Sequence, residues 1–538
     1  MGHAPAHLVI APVLIPLVIG ALLLFFDDRE RLLKLALSLL SSVLVLAAAA
    51  TLLFRVHGGE GTQAAVYLLG NWPAPIAINL VADRLSLIML LLAGSLVPPA
   101  LLFASERWER MGPHFHSLFQ FLMMGLNGAF LTGDLFNLFV FFEIMLAASY
   151  GLVLHSGGPL RVRAGMHYIA INLAASLIFL VGIAMVFSAV GSLNLAEISV
   201  RAEGLQGFNQ PALYVGLAML GLVFLIKAGM WPLGFWLVPA YSAAAGPVAA
   251  VLVVLSKVGI YSLLRLALML PGEGAAFGSV IIFIGGLVTL VFACLGVLAS
   301  QSMKRACAYF VLMSSGTLLA AFGISQPGAT AGALFYLVSS TLAGAAFFLL
   351  VELVEREQDT ASDVLAVTLE AFGDGDDVEE EEFEVGRAIP GGVVLLGFGF
   401  VGLSLVLIGL PPFSGFLAKF AILTAILGPG AEGLADGSAM RLTMAVMLIV
   451  SGLMALIALS RIGIRTFWAP VEPLTAKITL RETVPLALLL GLLVALAIQA
   501  GPVMDMMNQT ASDLHAPQLY LDAVLGAERV PPYAERGQ

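Results

Sequence analysis

Long apolar runs alternate with short polar punctuation along almost the whole chain. A run of 18 or more apolar residues is long enough to cross a bilayer as a helix. On this pattern the chain holds about fourteen spanning helices, at residues 8–26, 33–54, 79–104, 116–133, 135–155, 166–190, 212–243, 245–270, 277–299, 304–323, 329–355, 390–427, 441–460 and 484–506. Two runs are too long for one simple span. The seventh contains Trp231-Pro232 and then Val238-Pro239; the twelfth contains Leu410-Pro411-Pro412-Phe413-Ser414-Gly415. Proline removes a backbone donor and clashes with the preceding turn, so both helices are expected to break. Inside a membrane a break is tolerated only where protein or a water-filled cavity satisfies the freed backbone groups. The fold class expected is an all-α polytopic membrane protein.

Composition agrees. Of 538 residues, 60% are apolar and only 11% charged, whereas a soluble domain carries about 25% charged residues. Residues 1–7 contain no Lys or Arg, so the N-terminus lacks the basic region of a cleaved signal. Cys294 and Cys307 form no CxxC motif, and no histidine falls between residues 168 and 514. They read as packing and surface residues. No P-loop, Rossmann fingerprint or nucleophile–base motif stands in a suitable context. No cofactor, metal or nucleic-acid partner is expected.

Lys and Arg concentrate in alternate loops, as the positive-inside rule requires of cytoplasmic ones. That set is Arg29, Arg31, Lys34, Arg107, Arg110, Arg161, Arg163, Lys304, Arg305, Arg356, Arg387, Arg461, Arg465, Lys477 and Arg481. The other side holds chiefly Arg55, Arg201, Arg441, Arg529 and Arg536. A bacterial inner-membrane protein with both termini outside is expected. The net charge of −10 comes from one insert, residues 357–387, which includes an acidic run at 374–382. It reads as a solvated cytoplasmic loop or, alternatively, a docking surface for another protein of the same complex.

There is a faint internal repeat. Residues 255–260 (LSKVGI) echo residues 459–464 (LSRIGI), and the two broken helices stand five helices apart. An odd offset inverts one copy relative to the other, a transporter design with sites near the membrane midplane. The expected units are helices 1–3 in residues 1–115, helices 4–8 in 116–270, helices 9–13 in 277–467, and a final helix with its tail in 484–538.

Lys227, Lys257 and Lys419 lie well inside apolar stretches. A charge at the bilayer centre costs at least ~2.5–3.5 kcal/mol. Snorkelling relieves that cost near helix ends, but these three lie too deep for it. Glu143, midway along the fifth helix, is the matching acid. It either locks two helices as a static ion pair or works as a switch. Burial favours the neutral form of a lysine, and a neighbouring carboxylate favours the charged one. A lysine between the two exchanges a proton as the carboxylate moves. The order Glu143, Lys227, Lys257, Lys419 suggests a lateral relay in the membrane plane. Asp134 heads the fifth helix, where an acid complements the helix N-terminus or helps an ion to enter. Lys304 and Arg305 start the tenth helix as positive-inside anchors.

Three stretches resemble one family. They are residues 133–143 (GDLFNLFVFFE), 226–237 (IKAGMWPLGFWL) and 409–419 (GLPPFSGFLAK). The chain is similar to the antiporter-like subunits of respiratory complex I, membrane-bound hydrogenases and the Mrp-type cation/proton antiporters. Among these it most resembles the D-type component of the Mrp antiporters. The resemblance implies fourteen helices with two inverted five-helix repeats. It implies a Glu143–Lys227 switch, a relay at Lys257 and a terminal proton site at Lys419. It also implies a larger antiporter-like protein and several small membrane proteins as partners. The chain departs from the family pattern at Gly234, where many members have a histidine, and at Val238-Pro239. It also departs at Ser340 and Gly344, where many have a histidine and a lysine. Water or the hydroxyls of Ser339, Ser340 and Thr341 stand in their place.

Three functions follow: antiport of protons against Na+ or K+, proton pumping within a redox complex, or a scaffold whose ion pairs only hold helices together.

Overall fold

The computed structural model describes residues 6–27, 29–58, 64–73, 78–269, 278–372, 391–428, 438–468 and 478–527. The chain is an almost wholly helical polytopic membrane protein. Twelve helices among the described residues are long and apolar enough to cross a membrane. Shorter apolar helices, among them α1 (Ala6–Leu22), complete the bundle.

The chain then runs through α2 (Arg31–Gly58), α3 (Arg84–Ala104), α4 (Phe115–Leu131), α5 (Leu135–Val153) and α6 (Pro159–Val190). A short α7 (Leu195–Ala202) precedes α8 (Asn209–Ala228), and α9 (Leu237–Ala243) resumes beyond the break. Then come α10 (Gly246–Met269), α11 (Ser279–Ala299), α12 (Met303–Gly323) and α13 (Pro327–Phe372). The second interrupted helix is α14 (Gly391–Ile408) followed by α15 (Ser414–Leu427). The chain closes with α16 (Ser438–Gly463), α17 (Leu480–Ile498), α18 (Ala500–His515) and α19 (Gln518–Leu525).

The structure departs from the sequence reading at several places. Residues 64–68 and 79–83 form an antiparallel pair, β1 and β2. A two-stranded pair is too short for the period-two pattern to register against long apolar runs. The last apolar run, expected to end at 506, breaks at Gln499 into α17 and α18. The helix expected to end at 355 continues through Phe372, so the first part of the acidic insert is helical. The rest of that insert, including the run at 374–382, lies outside the described residues, as do Arg387, Lys477, Arg529 and Arg536.

Contacts between helix ends define two faces. The strand face carries β1, β2, α7, α18 and α19: Leu80 bridges Thr132, Asp134 bridges Asn194, and Thr330 bonds His515 at 2.9 Å. On the opposite face Arg161 donates to Ala243 O (2.8 Å), Arg356 pairs with Glu482, and Arg461 donates to Leu298 O. This second face gathers Arg107, Arg161, Lys304, Arg356, Arg461 and Arg481, and we call it the basic face. The most sealed helices are α10, α12 and α13, which are buried along nearly all of their membrane-spanning lengths. They form the core through which a charge path has to pass.

Candidate functional site

Both interrupted helices stop in the same way. α8 ends at Gly229 (φ 79°) and α14 at Gly409 (φ 85°). This left-handed conformation suits glycine, which closes a helix C-terminus by turning the chain back on it. Met230 N donates to Leu225 O, and Leu410 N to Leu405 O, both at 3.0 Å. One further carbonyl at each end is satisfied by a side chain. Trp236 Nε1 donates to Ile226 O (3.1 Å), and Lys419 Nζ donates to Ile408 O (2.8 Å). Beyond the first break, Trp231 N donates to Thr289 Oγ1 at 2.9 Å. The freed backbone is thus paired within protein, as an interrupted membrane helix requires. The two helices run in opposite directions, α8 from the strand face inward and α14 from the basic face inward.

Glycines close both breaks tightly. A Cβ on Gly234 would lie 2.0 Å from Gly229 O, and one on Gly415 1.9 Å from Val406 O. A histidine has no room at Gly234 in this backbone.

All three deep lysines are sealed: Lys227 is 3% exposed, Lys257 0% and Lys419 7%. Their partners differ. Lys227 Nζ lies 5.0 Å from the Phe142 ring, a cation–π contact. It has no hydrogen-bond partner among the described residues. Glu143, the next residue after Phe142, accepts a hydrogen bond from Ser176 Oγ instead. The acid and the lysine are neighbours without an ion pair between them.

The α10 helix lies directly against the end of α8. A Cβ on Gly259 would stand 2.8 Å from Ala228 N and 3.1 Å from the Lys227 carbonyl carbon. Two residues away, Lys257 Nζ donates to Ser314 Oγ at 2.9 Å and to Ser315 Oγ at 3.4 Å, both on α12. Ser314 Oγ bonds Ser340 Oγ on α13 (2.8 Å), and the adjacent Ser339 Oγ bonds Ser414 Oγ on α15 (2.8 Å). Lys419 stands on that same short helix. Hydroxyls of three helices therefore occupy the interval between Lys257 and Lys419 as two hydrogen-bonded pairs, Ser314–Ser340 and Ser339–Ser414. Thr341 takes no part, since its hydroxyl bonds back to Leu337 O. Gly344 packs on Val253 and Val311.

The secondary candidates stand elsewhere. Asp134 caps α5, accepting from Asn137 N at 2.8 Å. Burial pushes its carboxyl above the usual carboxylate range, although backbone donors at Asn137 and Phe136 oppose this. Lys304 is an anchor on the basic face, but a paired one. Its Nζ lies 3.1 Å from Glu352 Oε2 and 3.4 Å from Glu355 Oε2. Glu352, 5% exposed, also accepts from Gly246 N at the start of α10 (3.1 Å).

Sequence reasoning passed over Ser176, Ser314, Ser315, Ser414 and Glu352. The serines interrupt apolar runs without changing their length, so hydropathy ignores them. The signal available was adjacency, Ser314-Ser315 beside the run Ser339-Ser340-Thr341. Glu352 sits next to a charged loop and reads as part of it.

Charged side chains sealed between spanning helices, beside interrupted ones, belong to a membrane transport component rather than an enzyme. The chain belongs to the NADH:quinone oxidoreductase/Mrp antiporter family, whose transmembrane model matches residues 132–372. It is 52% identical over 530 residues to the D component of a probable K(+)/H(+) antiporter of Rhizobium meliloti (strain 1021), covering 97% of this chain and 98% of that one. It is 31% identical to the D component of a Na(+)/H(+) antiporter of Alkalihalophilus pseudofirmus, covering 96% and 99%. Its fold is similar to a chain of the Mrp complex from Dietzia sp. DQ12-45-1b, with a TM-score of 0.82, 23% identity and coverage of 98% and 100%.

Proposed function

We propose that this chain is the proton-translocating component of a multisubunit monovalent cation/proton antiporter in a bacterial inner membrane. A larger antiporter-like protein and small membrane proteins would complete the complex. The observation that carries this reading is the pair of hydroxyl hydrogen bonds, Ser314–Ser340 and Ser339–Ser414, set between two buried lysines. A scaffold needs ion pairs, and among the described residues neither Lys257 nor Lys419 has one.

In this mechanism Glu143 moves between Ser176 and Lys227. Its approach holds a proton on Lys227; its withdrawal to Ser176 releases that proton toward Lys257. The hydroxyls pass it on to Lys419, where the end of α14 and the second break offer a way out. Coupling through a moving carboxylate is a population shift between two arrangements. The opposed directions and shared ends of α8 and α14 support two inverted repeats, in residues 116–270 and 277–467. The positive-inside rule supports a cytoplasmic basic face and external termini. The relative at 52% identity favours K+ over Na+ as the cation.

Reconstituted with its partners, the wild-type complex should exchange protons for K+ or Na+. The variant Lys227→Ala should assemble and lose cation-dependent proton flux by at least about a hundredfold, the scale of a lost proton-transfer group. Undiminished flux would overturn the role. Flavin and iron–sulfur absorbance in the purified native complex would favour the redox-pump reading instead.

A further inference from the structure

Glu143 is held from α6, and the residue that holds it tops a buried polar ladder. Tyr168, Asn172 and Ser176 recur every four residues along α6 and so share one face of it. All three are buried. Ser176 Oγ donates to Glu143 Oε1. Asn172 Nδ2 donates to Tyr168 O at 2.9 Å. The Tyr168 hydroxyl shares a 2.7 Å hydrogen bond with Ser149 Oγ of α5. Eight residues of helix carry this ladder about 12 Å from the level of Glu143 toward the basic face.

The α5 helix supplies a second rail. Tyr150 lies two turns beyond Glu143 and packs its ring edge-on against Tyr168, with centroids 5.3 Å apart. Its hydroxyl is buried and has no hydrogen-bond partner among the described residues. A buried hydroxyl normally finds a protein or water partner. Trp236, just past the first break, lies tilted against Tyr168 with centroids 5.2 Å apart and walls the ladder on that side. Below it, toward the basic face, Arg161 donates to His155 O (3.0 Å) and to Ala243 O (2.8 Å).

Stapling of helices accounts for the Ser149–Tyr168 bond. It does not account for a serine directed at the switch carboxylate, nor for an unpartnered tyrosine hydroxyl in a spanning helix. Polar side chains within spans are expensive and mark ion or proton routes.

We propose that this ladder is the proton-loading path of Glu143, with Ser176 as the residue that positions its carboxylate. A proton from the basic face passes by way of Tyr150, Tyr168 with Ser149, and Ser176, water filling the intervals. Each hydroxyl accepts one proton and gives up its own. The Glu143 carboxylate gains the last one and becomes neutral. The inference rests on the antiporter reading for its direction of use.

The test follows Glu143 itself. In the reconstituted full complex, infrared spectroscopy would record the carbonyl stretch of protonated Glu143, assigned by its absence in Glu143→Gln, after a pH jump on the basic-face side. Tyr150→Phe and Ser176→Ala should each slow the rise of that band by at least about tenfold and enlarge its solvent deuterium isotope effect. Ser176→Thr, which keeps the hydroxyl, should restore the rate. Tyr150→Phe preserves the ring packing, so an assembled variant loading at the wild-type rate overturns the path. The two readings fail separately. A wild-type complex without cation-linked proton flux defeats the antiporter assignment, whereas the loading rate of Glu143 decides the ladder in either case.

Discussion

At the scale of single residues, the buried lysines differ in what surrounds them. Lys257 rests on two serine hydroxyls, whereas Lys419 rests on a backbone carbonyl. Lys227 has an aromatic face and no hydrogen bond among the described residues. A hydrogen bond to a charged group contributes about 1.5–3 kcal/mol. Ser314→Ala removes the nearer support of Lys257 and the Ser314–Ser340 hydroxyl pair together. It should lower cation-dependent proton flux about tenfold or more in reconstituted vesicles, since about 1.4 kcal/mol corresponds to a factor of ten. Ser315→Ala removes only the 3.4 Å contact and should act more weakly. Equal flux in the two variants would exclude Ser314 from the path.

At the scale of elements, the two interrupted helices depend on close backbone approach. In each, glycine ends the first half, and a second glycine lets the chain fold back against it. Gly415→Ala drives a methyl into Val406 O, a contact at 1.9 Å that real Cβ atoms do not make. The backbone of α15 has to shift, and overpacking of this kind costs about 1–3 kcal/mol. Because Ser414 and Lys419 ride on α15, flux should fall by more than the loss of thermal stability explains. Comparing flux with melting in detergent checks this. A variant that melts lower yet conducts normally would show that the break does not position the relay. Gly234→Ala should behave alike at the first break.

At the scale of the molecule, the strand face is fastened by a salt bridge between distant parts of the chain. Arg265 near the end of α10 holds Asp83 at the end of β2 through two hydrogen bonds, one of them 2.8 Å long. The guanidinium also stacks over Tyr520 of α19 at 5.2 Å and donates to the Tyr261 hydroxyl at 2.9 Å. Arg84 pairs with Asp513 of α18 beside it. Burial raises the Asp83 carboxyl, but the charge and hydrogen bonds of Arg265 outweigh burial and hold it below the usual carboxylate range. A carboxyl lowered in the folded state contributes its full stability above the unfolded value, about pH 4. That contribution is lost as pH falls through the folded value. The melting temperature of the purified protein should therefore drop as pH falls below about 4. Asp83→Asn should flatten that drop and lower stability at neutral pH by about 3–5 kcal/mol, the cost of a buried charge left unpaired. An unaltered acid profile in the variant would mean that other carboxylates control it.

The apolar runs and their prolines alone determined that the chain is a helical membrane protein with two interrupted helices. They also marked Glu143, Lys227, Lys257 and Lys419 as its costly charges. These properties are local: run length decides whether a helix crosses the bilayer, and a charge inside such a run is expensive wherever the helix packs. Sequence spacing likewise placed the basic side chains in alternate loops, and the structure gathers Arg107, Arg161, Lys304, Arg356, Arg461 and Arg481 of that set on one face. Only the tertiary structure decided which groups meet. It put Glu143 on Ser176 rather than on Lys227, and Lys304 on Glu352 and Glu355. It placed Ser314, Ser340, Ser339 and Ser414 between Lys257 and Lys419. Contacts of this kind join residues tens to hundreds of positions apart. A serine that hydrogen-bonds back within its own helix has the same local signature as one that bridges two helices. Helix packing alone separates them.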